Sequence, residues 1–347
     1  MVNKVPTIVE VAKSADISVT TVSRALRDSP LVREKTREKV LRIAKQLGYR
    51  PNRIARSLVS KRSNLVSLIV ADIKDKFFAE LARGIEDSAC KNGYNLIFSS
   101  TDNDPQILES SVRLMLEVGV DGFILAAVRL NEPIVEELAA ERFPVVLVDQ
   151  GIVGHTVPSV VIDNHEGAYL VVKHLTKCGY RRIGIITGAF DVSTGIERFE
   201  GYQKALLDHG IEYHEDYVSK GPFTNQHGYE ATMKMLSLEN PPEAIFAASD
   251  NIALGVMNAA ENKRVRIPED LALAGFNDTE FSSHARIQLT TVDQKQHEMG
   301  RLSVQALIDL IDRKGSRYKN NKIVLKPHLV VRKSCGYYLR RKQLQKT

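Results

Sequence analysis

The rhythm of apolar and polar positions changes near residue 60. Before that point apolar residues recur at helical spacing, in short segments. Thr7 is placed to cap a helix running to about Ser14, with Ile8, Val11, Ala12 and Ala15 on its inner face. Ser18 is placed to cap a second helix, from Val19 to about Arg27, that turns Val22, Ala25 and Leu26 inward. A third pattern, VREKTREKVLRIAKQLGY, points Val32, Val40, Ile43, Ala44 and Leu47 inward and stops at Gly48. Ala15-Asp16-Ile17 separates the first two helices, the spacing of a helix-turn-helix.

From Leu65 onward apolar runs alternate with amphipathic segments. LVSLIVA, YNLIFSS, GFILAA and PVVLVD read as buried strands, with helices near 78–92, 105–119 and 132–142. The scheme repeats after residue 160 with RIGIIT, AIFAAS and LALAGF, and helices near 165–178, 196–210, 226–237 and 250–263. Such alternation predicts parallel sheets covered on both faces, in two lobes, with ligands at the carboxyl ends of the strands. The expected fold is an all-α helix-turn-helix headpiece over residues 1–50, a basic hinge and linker over 51–64, a two-lobed α/β core over 65–333 and a basic tail over 334–347.

Charge sharpens this division. Residues 1–62 carry fifteen Lys/Arg and five Asp/Glu, a net of +10, which leaves 33 basic and 37 acidic residues, a net of −4, for the rest. A polyanion partner is therefore expected at one end only. On the second helix, Val19 and Thr20 are placed to touch base edges, Thr21 and Ser23 to donate to phosphate oxygens, and Arg24 to reach a guanine or a phosphate. The segment PNRIARSLVSKRSN places apolar Ile54 and Leu58 among basic residues, which suits either an ordinary linker or a wedge for the minor groove.

Other classes lose ground. The 347 residues, 43% hydrophobic, suffice for more than one domain. No apolar run reaches the length of a membrane span, and MVNKVPTIVEVAKSADI lacks the apolar core of a signal peptide, so a cytoplasmic protein is expected. Cys90, Cys178 and Cys335 lie far apart without CxxC spacing, and Cys90 and Cys178 read as packed thiols in a reducing compartment. GxxxxGK[ST], GxGxxG after a strand, GxSxG and HExxH are all missing, DNDP at 102–105 lacks the remaining ligands of a calcium loop, and the nine histidines show no metal spacing. The expectation is a protein that is not an enzyme and carries neither cofactor nor metal.

TIVEVAKSADISVTTVSRAL, then TREKV, LGYRPN and IARSL, resemble the headpiece and hinge of the lactose/galactose repressor family of bacterial transcription regulators. In the core, FFAELARGIEDSACKNGYNLI, DGFILA, PVVLVD, IDNHEGAYLVVKHL, ERFEGYQKAL, SDNIALGVMNAA, GFNDTEF and LTTVDQ extend the resemblance to about residues 7–333. It implies a core with the fold of periplasmic sugar-binding proteins, in which chain crossovers make each lobe draw on both halves of the chain. It also implies that Val19, Thr20 and Arg24 read bases, while Thr7, Thr21, Ser23 and Thr36 contact phosphates. Ser18, the helix cap, belongs with this DNA-binding set; Tyr49 and Asn52 lie near the backbone, and Ala55 and Leu58 enter the minor groove. Asp16 stands where the family usually has glycine, and Asp tolerates a left-handed turn better than most residues.

At the strand ends the resemblance gives candidate effector contacts. Asp72, Phe77 and Phe78 follow the first strand, Asp149 ends the fourth, and Arg198 opens a helix after RIGIIT. Phe223 lies in the loop GPF, Ser249 and Asp250 end AIFAAS, and Asn277 ends LALAGF. A sugar needs planar donors and acceptors for its hydroxyls and an aromatic face for its C–H surface, which this set supplies. Asp250 and Asn277 equally suit helix caps, and Phe77 and Phe223 equally suit core. Lys76, Gln150, Val192 and Asn277 depart from commoner family residues and argue against a purine effector. The expected protein is a homodimer on a pseudo-palindromic DNA operator, controlled by a small molecule of the sugar class. A regulator controlled by a phosphocarrier protein is the alternative, ahead of an α/β enzyme with a DNA-binding appendage. The tail CGYYLRRKQLQKT lacks leucine heptads that would join two dimers.

Overall fold

In the computed structural model, which describes residues 6–49, 62–152, 156–312 and 322–339, three short helices build the first unit. Helix α1 (Ile8–Ala15) opens on a reciprocal cap: the Thr7 N–H donates to Glu10 Oε2 at 2.7 Å, and the Glu10 N–H donates to Thr7 Oγ1 at 3.4 Å. Asp16 then turns the chain with φ 51°, in the left-handed conformation expected of it. Helix α2 (Val19–Ala25) ends two residues short of the expected Arg27, and α3 spans Glu34–Gln46. Val11, Ala12, Val22, Ala25, Val40 and Ala44 form the core, with Ile8, Leu26, Val32 and Ile43 at its margin. Leu47 is the exception to the inward set: it lies beyond the last turn of α3 and is 37% exposed. The hinge, with Asn52, Ala55 and Leu58, and the tail beyond Leu339 fall outside the described residues.

The chain divides into Met1–Ser63 and Asn64–Thr347. The second unit begins with β1 (Leu65–Val70), α4 (Lys76–Lys91), β2 (Asn95–Ser100), α5 (Pro105–Val118), β3 (Gly122–Ala126), α6 (Pro133–Ala140), β4 (Val145–Val148) and β5 (Ser159–Ile162). It continues through α7 (Asn164–Lys177), β6 (Ile183–Thr187), α8 (Ser193–Asp208), β7 (Val218–Lys220), α9 (Asn225–Met235), β8 (Ala244–Ala247), α10 (Asp250–Asn262) and β9 (Ala272–Ala274). It closes with β10 (Thr291–Asp293), α11 (Gln296–Ile311), β11 (Lys322–Leu325) and β12 (His328–Val330).

Six parallel strands in the order β11-β5-β4-β3-β1-β2 form one lobe, and four in the order β7-β6-β8-β9 form the other. Continuous apolar runs such as Val145–Val148 are buried throughout because helices cover both faces of each sheet. Helices α4 and α11 pack so closely on the first sheet that a Cβ at Gly84 would strike the His297 backbone. Strand β2 corrects the expectation of a buried run: it is an edge strand, half exposed along its length. Strands β5, β7 and β10 to β12, and helix α11, were not foreseen. The strands have only three or four residues each, and α11 buries Gln296, Ser303 and Asp309 among its apolar positions, which blurs its period.

The late elements make the crossovers. After β5 the chain passes to the second lobe; after β10 it returns, laying α11 on the first sheet and β11 beside β5. Strand β12 then goes back to pair antiparallel with β10; the chain at β10 is bridged to the end of β9 through Ala274 and Thr290, and to the segment after β9 through Asn277 and Asp293. Each lobe thus contains both early and late chain. Among the described residues no helix is long and apolar enough to cross a membrane.

Candidate effector cleft and nucleic-acid interface

Burial of Val22 and Ala25 leaves the opposite side of α2 to Val19, Thr20 and Arg24, all exposed. Val19, an apolar residue, is 41% exposed and outside the three-helix core, and the side chains of Thr20 and Arg24 make no hydrogen bond among the described residues. The other hydroxyls already have local partners. Thr7 is committed to its capping box, Ser18 Oγ accepts from the Thr21 N–H at 3.1 Å and shares a 2.8 Å bond with Thr21 Oγ1, and Ser23 Oγ accepts from Arg27 Nη2 at 2.6 Å. Thr36 and Tyr49 are half-buried, and Tyr49 packs at the edge of the three-helix core. The recognition-type face is therefore an apolar residue, a free hydroxyl and a free guanidinium.

In the second unit the carboxyl ends of strands from both sheets converge on a cavity of about 650 Å³. This is the size range of small-molecule sites. Asp72, Phe77, Phe78, Asp149, Arg198, Phe223, Ser249 and Asn277 all line it. Asp250 does not. It is fully buried behind the wall, where Oδ2 accepts from the Thr279 N–H and Oγ1 at 2.8 and 2.9 Å, and Oδ1 accepts from Thr291 Oγ1 at 2.6 Å. Its carboxylate ties β10 and the segment after β9 to the start of α10. Ser249 has a structural duty as well, since its hydroxyl caps α10 by accepting from the Ile252 N–H at 3.1 Å.

Arg198 is the most elaborately held of these groups. It is 3% exposed; Nε donates to Asn164 Oδ1 at 2.8 Å, Nη1 to the Ala248 carbonyl at 2.6 Å, and the guanidinium lies over the Phe276 ring at 3.9 Å. Burial lowers its pKa to about 10, a shift opposed by Asp149, Glu197, Asp75 and Asp250. Phe223 flanks it at 5.5 Å and sits directly on Gly188, where any side chain would strike the ring. Phe77 and Phe78 meet edge to face, with centroids 5.1 Å apart.

Facing the arginine, Asp149 sits at φ 67° just past β4, a left-handed conformation that costs a non-glycine residue energy. Burial pushes its carboxyl up to about 7. Asp149 Oδ1, Gln150 Oε1 and Gln294 Oε1 are all buried without a hydrogen-bond partner, on side chains that line the cavity. Native proteins rarely leave buried acceptors unpaired, so three on one cavity describe a surface made to receive donors. Asn277 is held at φ 122°, with Oδ1 accepting from Gln294 Nε2 at 2.5 Å. The lining carries seven carboxylates against three cationic side chains.

Some lining residues were not anticipated. Asp75, Asp102, Asp104, Arg129, Glu132 and Asp191 follow strands that were recognised, and the strand-end rule alone would have selected them. Gln294 follows β10, which was not recognised, and Asn164 holds Arg198 from the start of α7 without lining the cavity. Across the cleft, Arg129 Nε pairs with Asp191 Oδ2 at 3.3 Å, and the Leu130 N–H donates to the Asp191 carbonyl at 2.9 Å. These contacts join the loop after β3 in one lobe to the loop after β6 in the other.

A helix-turn-helix unit with an unpaired reading face, and a two-lobed core enclosing a small-molecule cleft, define a ligand-responsive DNA-binding regulator. The description "Bacterial regulatory proteins, lacI family" matches residues 7–52, and "Periplasmic binding protein-like domain" matches residues 172–335. The chain is 36% identical over 325 residues to catabolite control protein A of Priestia megaterium, covering 93% of this chain and 97% of that protein. It is 33% identical over 332 residues to the transcriptional repressor PurR of Haemophilus influenzae (strain PittEE), covering 94% and 98%. Among solved structures, the Lac repressor dimer bound to operator and the anti-inducer ONPF superposes with a TM-score of 0.83 at 27% identity, over 96% of this chain and 99% of that one. The transcriptional regulator CelR in complex with cellobiose has a TM-score of 0.73 at 32% identity, over 95% and 99%. The chain belongs to the lacI family of bacterial regulatory proteins. It is a DNA-binding transcriptional regulator responsive to a small-molecule effector, and not an enzyme.

Proposed function

We propose that the interlobe cavity is the effector site and that its effector is a neutral, hydroxyl-rich molecule of the sugar class. The three unpartnered acceptors of Asp149, Gln150 and Gln294 carry this reading, because vicinal hydroxyls supply donors to them and acceptors to Arg198. The excess of carboxylates disfavours phosphorylated sugars. The cellobiose complex of a structural relative supports the same class. Val192 stands on the lining where a purine-responsive relative is expected to offer arginine, which weighs against a nucleobase despite the similarity to PurR.

On the DNA side, Val19, Thr20 and Arg24 read the operator from the major groove. Two headpieces, over residues 1–50, grip a pseudo-palindrome as a homodimer of a cytoplasmic protein. The hinge over 51–64 places Ala55 and Leu58 in the minor groove, and effector binding between the lobes alters hinge spacing. The test is calorimetry of the full-length protein against neutral mono- and disaccharides and their phosphorylated counterparts, followed by operator binding with and without each ligand. Binding of a neutral sugar that changes operator affinity is expected. Response only to a phosphorylated sugar, or only to a phosphocarrier protein, would replace this reading.

A further inference from the structure

A cluster outside the cleft joins the end of α7 to the segment after β12. His174 lies in the last turn of α7, and Cys178 caps its end. Their partner, Cys335, comes from residues that are remote in sequence. His174 Nε2 is 3.2 Å from Cys335 Sγ and 3.7 Å from Cys178 Sγ, so both sulfurs lie against one ring nitrogen. Cys335 is fully buried and Cys178 is 7% exposed. Tyr337 covers the imidazole with ring centroids 5.6 Å apart, and the Tyr180 hydroxyl fixes the Cys335 carbonyl at 3.2 Å.

Wide separation along the chain made a thiol pair invisible in the sequence, yet the fold sets both sulfurs around one imidazole nitrogen. Among the described residues no set of three His, Cys, Asp or Glu side chains is placed to hold a metal ion, which directs attention to thiol chemistry. We propose that Cys178 and Cys335 form a dithiol that hydroperoxides convert to an intramolecular disulfide, with His174 carrying the protons. Hydrogen bonds from Cys178 and then His174 hold the Cys335 thiol below the ordinary thiol range, which favours Cys335 as the attacking sulfur.

In the first step His174 accepts the Cys335 proton, and the thiolate attacks the peroxide oxygen. An S–O bond forms, the O–O bond breaks, sulfur gives up two electrons, and the leaving alkoxide takes the proton from His174 to become an alcohol. In the second step Cys178 passes its proton to His174 and attacks the Cys335 sulfenic acid. The S–S bond forms, the S–O bond breaks, and hydroxide leaves as water with that proton. Two thiols and one hydroperoxide thus give one disulfide, one alcohol and one water.

Exposure alone points elsewhere, because Cys90, expected from its helical pattern to be packed, is the exposed cysteine. The test treats reduced full-length protein, freed of reductant, with hydrogen peroxide and maps it by mass spectrometry without reduction. Loss of two hydrogens and a crosslinked Cys178–Cys335 peptide pair, with Cys90 still open to alkylation, is expected. Oxidation of Cys90 while Cys178 and Cys335 remain thiols would overturn the proposal, as would sulfinate at Cys335 without a crosslink. His174→Gln is expected to slow crosslinking on the order of a hundredfold; an unchanged rate would remove the proton carrier. In Cys178→Ser, Cys335 should stop at the sulfenic acid and be captured by a 1,3-dione, and absence of that adduct would deny Cys335 the attacking role.

Discussion

Arg198 is a buried cation on the wall of the cleft, and its neighbours show how it is held there. Asn164 and the Ala248 carbonyl aim its planar fork, while Phe276 replaces the water that a guanidinium would otherwise keep on its face. Arg198→Ala should weaken effector binding by roughly 2–3 kcal/mol, about thirty- to 150-fold. Operator affinity without effector should stay near that of the parent, and calorimetry with DNA-binding anisotropy checks both. An alanine variant with unchanged effector affinity would move the site elsewhere. At this scale eight of the residues that the sequence offers at its strand ends line the cavity, because the carboxyl ends of the strands of both sheets converge there. The sequence misjudged Asp250, which looks identical in sequence to a ligand contact. Only the hydroxyls of Thr279 and Thr291, brought in from later chain, reveal its structural task.

Helix α2 shows what short-range pattern can and cannot decide. Its start, its Ser18 cap and the burial of Val22 and Ala25 follow from spacing within a few residues and are legible, whereas its end lies two residues before the expected Arg27. Which hydroxyls remain free was not legible, since Ser18, Thr21 and Ser23 turn out to be engaged within the headpiece. Arg24→Ala should therefore erase discrimination between operator and random DNA by about 1–3 kcal/mol, with a smaller effect on nonspecific binding. Competition binding at fixed salt measures that ratio. Between elements, the loops after β3 and β6 hold the lobes together through Arg129, Leu130 and Asp191. The ion pair is 41% and 49% exposed, so its coupling in a cycle of Arg129→Gln and Asp191→Asn should not exceed ~1 kcal/mol. Effector affinity should fall by no more than about fivefold, as a less populated closed cleft requires. A loss far beyond that would make Arg129 a direct ligand contact.

For the molecule as a whole, the buried carboxyls make stability depend on pH. Burial raises Asp149 to about 7 against the pull of Arg198, with Asp75 and Glu197 adding to the rise, and it raises Asp250 to about 7 as well. The unfolded chain titrates these groups near 3.8. Between those values the folded state binds more protons, so effector-free protein should lose stability as pH climbs from about 4 to 7 and show no further change from these groups above 7. A sugar hydroxyl donating to Asp149 favours its charged form. Effector affinity should then rise over the same window with release of a proton, seen by calorimetry in buffers of different ionisation enthalpy. Affinity that stays flat from about pH 5 to 8 would place the ligand away from Asp149.

By itself the sequence determined the local facts: three short helices at a basic end, and alternating strands and helices with polar residues at the strand ends. These follow from periodicity, capping and charge, which act over a handful of residues. Tertiary structure alone decided which distant segments share a neighbourhood. It set α11 and β11 into the first lobe, drew Thr279 and Thr291 around Asp250, left three acceptors unpaired on the cleft wall, and placed Cys335 beside Cys178. The physical reason is that such contacts join residues far apart in the chain, where no pattern of neighbours records them and only the packing of whole sheets and helices brings them together.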